Sequence, residues 1–147
     1  MGNEELHSLL ERERWFNEDS RRLAEAALAE VESAIECFDF HRAKLRTALG
    51  KLKRDPDEKR ATEDRDHGTS EKEDIENAKR AFKALHKSRC KLATRYCRNL
   101  LLAAAERVGA DDRLGERHAC AQQRLDEALA RDLEPYALEL RDHMKRS

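Results

Sequence analysis

Apolar residues recur every three or four positions over most of the chain, which is the spacing of one face of an α-helix. The pattern is strongest between residues 18 and 53, and it predicts a first long helix over residues 17–54. Pro56 ends this helix, because the residue before a proline avoids the α-helical backbone conformation. The apolar face of the first helix contains Ala24, Leu28, Val31, Ile35, Phe38, Leu45, Leu49 and Leu52.

A highly charged segment separates the first helix from a second one. Residues 55–69 contain no large apolar residue, and we expect them to form a solvated, mobile loop. Ser70 and Glu73 match a capping box and begin a second helix over residues 70–108, which Gly109 ends. The apolar face predicted for the second helix contains Ile75, Ala78, Phe82, Leu85, Ala93, Tyr96 and Leu100.

A third helical segment covers residues 111–146, with Asp111 or Asp112 as its N-cap. Pro135 either kinks this segment or opens a separate final helix. At the other end of the chain, residues 1–16 form a helical extension. The pattern leaves open whether this extension continues into the first helix or folds back as a separate one.

The composition places the chain in the all-α class. Charged residues make up 41% of it and aromatic residues 5%, with only five glycines and two prolines, and such a composition is typical of long helices and coiled coils. We expect residues 1–147 to form a single domain. Its predicted architecture is an elongated antiparallel three-helix bundle with an additional short N-terminal helix or helical extension.

The sequence also argues against several classes of function. No apolar run approaches the 20 or so residues of a membrane-spanning helix, and the N-terminus does not have the pattern of a secretory signal. The four cysteines fall within predicted helices, so we expect reduced thiols and a soluble, cytoplasmic protein. Glycine-rich phosphate loops and nucleophile elbows are missing. We therefore expect neither an enzyme, nor a cofactor, nor a small-molecule substrate.

Two Cys/His pairs suggest a zinc site as a minor hypothesis. Cys37 and His41 are four residues apart, as are His86 and Cys90, so each pair shares one helix face. An antiparallel hairpin brings both pairs to the same level, and two Cys with two His form a tetrahedral zinc site. However, the helical phases place the two pairs on diverging flanks, so we expect no metal here.

The most informative feature of the sequence is its charge distribution. Residues 1–40 contain 11 acidic and 4 basic residues, whereas residues 41–98 contain 18 basic and 10 acidic ones. Lys44 and Lys51 belong to a basic stretch at the end of the first helix. The second helix has a basic ridge on the side away from its apolar face. We expect this ridge to be a binding site for anions. The basic ridge comprises Arg80, Lys83, Lys87, Lys91, Arg95 and Arg98.

A second unusual surface is an apolar end near the N-terminus, which a three-helix rod leaves partly exposed. Its residues are Leu6, Leu9, Leu10, Trp15, Phe16, Leu101 and Leu102. We expect a non-enzymatic adaptor or scaffold that docks to another protein, or to a second copy in a homodimer, through the apolar end and the charged surface. The alternatives are electrostatic binding of nucleic acid or an anionic membrane through the basic ridge, and a zinc-stabilised bundle.

Overall fold

The computed structural model describes residues 2–53, 71–109 and 111–146, with side chains at all of these positions except residue 2 and residues 9–17. The regular elements in these ranges are α-helices that pack against one another in a bundle, which confirms the all-α class. The predicted mobile loop over residues 55–69 lies outside the described residues. In chain order, the helices are α1 (Gly2–Leu52), α2 (Glu71–Leu92), α3 (Arg95–Val108), α4 (Asp112–Ala130) and α5 (Glu134–Arg146).

The N-terminal extension and the first predicted helix form one continuous helix. α1 contains 51 residues, so it is about 77 Å long at 1.5 Å per residue. From Asn3 to Leu49 the sequence contains neither Gly nor Pro, and nothing in this stretch interrupts the helical hydrogen bonds. The alternative in which residues 1–16 fold back as a separate helix is therefore not the one observed.

The core lies along the predicted apolar face of α1. All eight predicted positions are buried, with Phe38 fully enclosed. α2 and α3 return antiparallel to α1 on one side of this face, and α4 and α5 pack beside them. The core of the other helices includes Ile75, Ala78, Leu85, Leu92, Cys97, Leu101, Ala104, Leu114, Ala121, Leu125, Ala128, Leu133 and Leu140.

The second predicted helix is divided in two, contrary to the expectation of one helix over residues 70–108. Thr94 adopts an extended backbone conformation, with φ −70° and ψ 155°, and its hydroxyl donates a hydrogen bond to the Lys91 carbonyl over 2.7 Å. A threonine hydroxyl that bonds a nearby carbonyl in this way competes with the regular helix. After the break the apolar face changes, so Ala93 and Tyr96 are exposed while Leu92 and Cys97 are buried.

Ion pairs connect α4 and α5 to α1, which runs parallel to them. Arg117 on α4 donates two hydrogen bonds to the Glu32 carboxylate, from Nη2 over 2.6 Å and from Nε over 3.0 Å. This pairing raises the pKa of Arg117. Farther along, Lys53 Nζ lies 2.8 Å from Glu139 on α5. The partner of Glu32 is Arg117, and the partner of the later residue Lys53 is the later residue Glu139. α1 therefore runs parallel to α4 and α5, and the pairs define the register between them.

Tight capping joins α3 to α4. Gly109 has a positive φ of 58°, a conformation that glycine adopts without strain. The Asp111 carboxylate then accepts hydrogen bonds from the backbone amides of Arg113 and Leu114, as expected of an N-cap, and it also pairs with Arg21 of α1. The hydrogen bond from Leu114 is the main reason that the pKa of Asp111 is lowered.

The third predicted helix is also divided, because residues 131–133 leave the helical conformation. The break precedes Pro135, which occupies the second position of α5. Proline is well tolerated in the first turn, where its missing N–H has no helical partner to lose. Of the two alternatives that the sequence leaves open, a kink at Pro135 or a separate final helix, the structure has the separate helix. This helix begins at Glu134, so the prediction that Glu134 precedes it is wrong by one residue.

Two neighbouring phenylalanines on α1 test this core. Phe38 is fully buried whereas Phe40 is 58% exposed, so Phe38→Ala is expected to reduce the free energy of unfolding by about 3–5 kcal/mol. Phe40→Ala, the matched control, is expected to reduce it by less than about 1 kcal/mol. Urea unfolding followed by circular dichroism measures both values. Similar losses for the two variants would contradict the placement of α1.

Acid titration tests the Asp111 cap. Since the folded state lowers the pKa of Asp111, the ionised carboxylate stabilises the fold above its ordinary pKa of 3.8, and this stabilisation disappears as the pH falls through the lowered value. Asp111→Asn keeps an N-cap side chain but removes the charge beside Arg21. Its melting temperature is expected to be lower than that of the unchanged protein at neutral pH and to approach it at strongly acidic pH. A difference that grows on acidification would contradict this assignment.

Candidate functional site

A cavity of about 640 Å³ lies between α1 and α2, on the side where the two helices present small residues. Ala48 of α1 and Ala81 and Ala84 of α2 line it and are each half-buried. Their methyl side chains leave space between the helices that larger residues would fill. We call this cavity, with the basic and aromatic side chains around it, the basic groove.

Basic side chains from both helices line the groove. Lys44 and Lys51 come from α1 and Arg80 from α2, and all three are exposed. None of them forms an ion pair within the described residues, although Asp74 lines the same cavity. Three like charges around one cavity create a positive potential that attracts an anionic group.

An exposed aromatic ring lies at one end of the groove. Phe40 is 58% exposed, and the Lys44 ammonium lies 5.5 Å from its ring centroid, within the range of a cation–π interaction. The His41 ring meets Phe40 edge-on, with 5.5 Å between the centroids. The groove therefore combines positive charge with an apolar surface available for contact.

The sequence prediction did not include Phe40, because this residue lies outside the apolar face that identifies the core. The sequence feature that could have identified Phe40 is its position, since a large aromatic residue is unusual on the polar side of a regular amphipathic helix. Lys44 and Lys51 were identified only as part of a basic stretch. Their convergence with Arg80 depends on the register of α1 against α2, which a single helix pattern does not specify.

The basic ridge is exposed at all six predicted positions, and none of the six forms an ion pair in the part of the chain that the structure describes. The break at Thr94 nevertheless assigns them to two helices. Arg80, Lys83, Lys87 and Lys91 lie on α2, whereas Arg95 and Arg98 lie on α3. The ridge is therefore not one straight helix surface, and its α2 part adjoins the basic groove through Arg80.

The predicted apolar end is only partly present as a surface. Leu101 is 2% exposed and belongs to the core, so it is not available to a partner, whereas Leu6 and Leu102 are 56% and 58% exposed. The remaining predicted members lie within α1, but their side chains are outside the described residues. These members are Leu9, Leu10, Trp15 and Phe16.

The four candidate zinc ligands do not converge. His41 lines the basic groove, whereas His86 and Cys90 line a separate cavity of about 360 Å³ beside Asp132 and Leu133. Within that second cavity Cys90 Sγ lies 3.7 Å from His86 Nδ1. Cys37 is exposed on α1. In the described ranges, no three His, Cys, Asp or Glu side chains lie close enough together to hold a metal ion.

Comparisons with known proteins add no relative, since the chain matches no protein-family model, curated protein or solved structure. Among the helices of the described ranges, none combines the length and apolar character needed to cross a membrane.

Thiol labelling tests the surface assignments of the cysteines. Cys97 is 2% exposed, and burial raises the pKa of its thiol, so less of the reactive thiolate is present. We expect iodoacetamide to modify Cys97 roughly tenfold or more slowly than the exposed Cys37, Cys90 and Cys120. Mass spectrometry of the digested protein measures the rates, and urea is expected to equalise them. Fast labelling of Cys97 in the folded protein would contradict its position in the core.

Proposed function

We propose that this chain is a non-enzymatic adaptor protein whose basic groove docks a helical segment of a protein partner. The segment we propose is acidic and carries an apolar anchor residue. The observation that supports this most directly is the combination of Lys44, Lys51 and Arg80, without ion pairs in the described residues, around an alanine-lined cavity with an exposed Phe40.

The charge of the groove favours an acidic partner. Elsewhere on α1, charged side chains pair with neighbouring helices, as Glu32 does with Arg117 and Asp39 with Arg124. The three basic side chains of the groove differ, because they form no ion pair within the described residues and outnumber Asp74, the one carboxylate among the described residues that line the cavity. A partner that supplies carboxylates forms new ion pairs here and gains speed and specificity of association from the complementary potential.

The shape of the groove favours a helix. Two roughly antiparallel helices with small residues between them form a channel that accepts the side chains of a third helix. From Phe40 to Lys51 the channel spans twelve residues of α1, about 17 Å or three helical turns. The exposed Phe40 ring is available for an apolar anchor, since aromatic rings contribute most when their surface is fully covered.

An extended polyanion suits the groove less well. The binding of nucleic acid depends mainly on many backbone phosphates meeting basic side chains, and an alanine-lined cavity adds nothing to such contacts. We therefore place nucleic acid and anionic membrane second to an acidic protein segment.

The cysteines support a reducing compartment for this function. Cys37, Cys90, Cys97 and Cys120 are all free thiols, as expected in the cytoplasm. We therefore propose that the protein acts in the cytoplasm.

Binding of designed probes tests the proposal. The first probe is a fluorescent helix-forming peptide with Glu on one face and Leu and Phe on the other, and the second is its all-acidic counterpart without apolar residues. The third is a short DNA duplex. We expect the first probe to bind at least about tenfold more tightly than the other two, as measured by fluorescence anisotropy.

A matched pair of variants locates the binding site. Lys44→Glu with Arg80→Glu is expected to weaken binding of the amphipathic peptide by roughly tenfold or more. Arg46→Glu with Lys72→Glu changes the net charge equally, on the same two helices but outside the groove lining, and is expected to have little effect. Equal losses for both variants, or tighter binding of the duplex than of the peptide, would sink the proposal.

A further inference from the structure

The second cavity, of about 360 Å³, lies between α2 and the junction of α4 with α5. Its volume is at the lower end of the range of ligand-binding pockets. His86 and Arg89 of α2 line it together with the carboxylates of Asp132 and Glu134, and Cys90 lies among them. Its apolar wall consists of Phe82, Ala93, Leu133 and Ala137. We call it the thiol cavity, and it places charges of both signs beside a thiol and an apolar surface.

Cys90 and His86 form a thiol–imidazole pair in the thiol cavity. They are four residues apart on α2 and therefore share one helix face, and Cys90 Sγ lies 3.7 Å from His86 Nδ1. In the tautomer that carries its hydrogen on Nε2, the imidazole accepts the thiol proton at Nδ1. A cysteine beside such a base is the arrangement of an activated nucleophile. Both residues are exposed, so a reagent in solution reaches the sulfur.

The two other exposed cysteines are not arranged in this way. Cys37 is also four residues from a histidine, but no hydrogen bond joins it to His41 within the described residues, and His41 lines the basic groove. Cys120 likewise has no histidine bonded to it in the part of the chain that the structure describes. Neither thiol lines the thiol cavity. Cys90 therefore differs from both in combining a base with a cavity.

Backbone contacts hold the charged groups of the thiol cavity in place. Arg89 is half-buried, and its Nη2 donates a hydrogen bond to the Leu129 carbonyl over 2.8 Å. A guanidinium has five N–H donors, so others remain for a carboxylate. On the opposite side, Asp132 Oδ1 accepts a hydrogen bond from the backbone amide of Glu134 over 2.9 Å. The cavity thus presents one fixed cation and one fixed carboxylate to a ligand.

We propose that Cys90 is a site of reversible modification by the disulfide of a small zwitterionic thiol peptide of the glutathione type. The carboxylates of such a peptide are complementary to Arg89, and its ammonium group is complementary to Asp132 and Glu134. The apolar wall covers its methylene groups. In a reducing compartment a mixed disulfide of this kind is transient and regulatory, because thiols reverse it.

The reaction is a thiol–disulfide exchange. The Cys90 thiol gives its proton to His86 Nδ1, and the thiolate attacks one sulfur of the peptide disulfide. A bond forms between Cys90 Sγ and that sulfur, while the bond between the two peptide sulfurs breaks. The released peptide thiolate takes the proton from the His86 imidazolium. One disulfide is consumed and one is formed, so the peptide disulfide is the only oxidant that the step requires.

Rates of modification by glutathione disulfide test this site, with Cys37 and Cys120 as internal controls. The reduced protein is incubated with the disulfide at neutral pH, and mass spectrometry of the digested protein measures the occupancy of each cysteine over time. We expect Cys90 to react at least about tenfold faster than either control thiol. His86→Gln is expected to bring Cys90 to within about threefold of them. His41→Gln, the matched control beside Cys37, is expected to change no rate.

An uncharged reagent separates recognition by the cavity from reactivity of the thiol. With hydroxyethyl disulfide, the rate advantage of Cys90 over Cys37 is expected to be at least about threefold smaller than with glutathione disulfide. Arg89→Gln is expected to reduce the advantage for the charged reagent alone. Circular dichroism verifies that each variant remains folded.

Equal rates at the three exposed cysteines would overturn the proposal, as would a rate at Cys90 that His86→Gln leaves unchanged. The same advantage with both disulfides would overturn the choice of ligand, because the cavity would then contribute no recognition of the peptide. These outcomes are independent of the docking proposal, since Cys90 does not line the basic groove.

Discussion

The antiparallel packing of α2 and α3 against the apolar face of α1 is the interaction on which the rest of the molecule depends. This face runs from Ala24 to Leu52 and is buried throughout, so it aligns the helices over about 42 Å. α4 and α5 pack beside this assembly, and ion pairs such as Glu32–Arg117 connect α4 to α1. Since the register of α1 against α2 is set by the core, it also decides which surface residues become neighbours.

That register explains why much of the fold, but little of the groove, follows from the sequence. The apolar face of α1 is a repeat within one helix, and its period identifies Phe38 as a core residue directly. The break at Thr94 is harder to predict from the sequence. Ala93 and Tyr96 continue the apolar spacing of the second helix, although both are exposed in the structure. The groove requires the relative position of two helices. Lys44 and Arg80 are 36 positions apart in the sequence, and no local pattern relates them.

The charges of the molecule divide into two groups with different roles. On the side of α1 that contacts α4, the acidic residues Glu32 and Asp39 form ion pairs with Arg117 and Arg124. These pairs favour the observed parallel register of α1 and α4. On the groove flank, basic residues lie around an apolar cavity without ion pairs in the described part of the chain. An overall net charge of −1 conceals this separation. We interpret it as the physical basis for docking an acidic helix of a protein partner.

The central claim is that α1 and α2 pack in the register that brings Lys44 and Arg80 to one groove. Electron spin resonance tests it most directly, with spin labels on Lys44→Cys and Arg80→Cys in a chain whose own cysteines are replaced by alanine. Dilution with unlabelled protein limits the signal to distances within one copy. The account predicts a single short distance for this pair, and a much longer one for Lys44→Cys with Arg107→Cys, which lies roughly 40 Å farther along the α2–α3 direction at 1.5 Å per residue. Similar distances for the two pairs, or a longer one between Lys44 and Arg80, would contradict it.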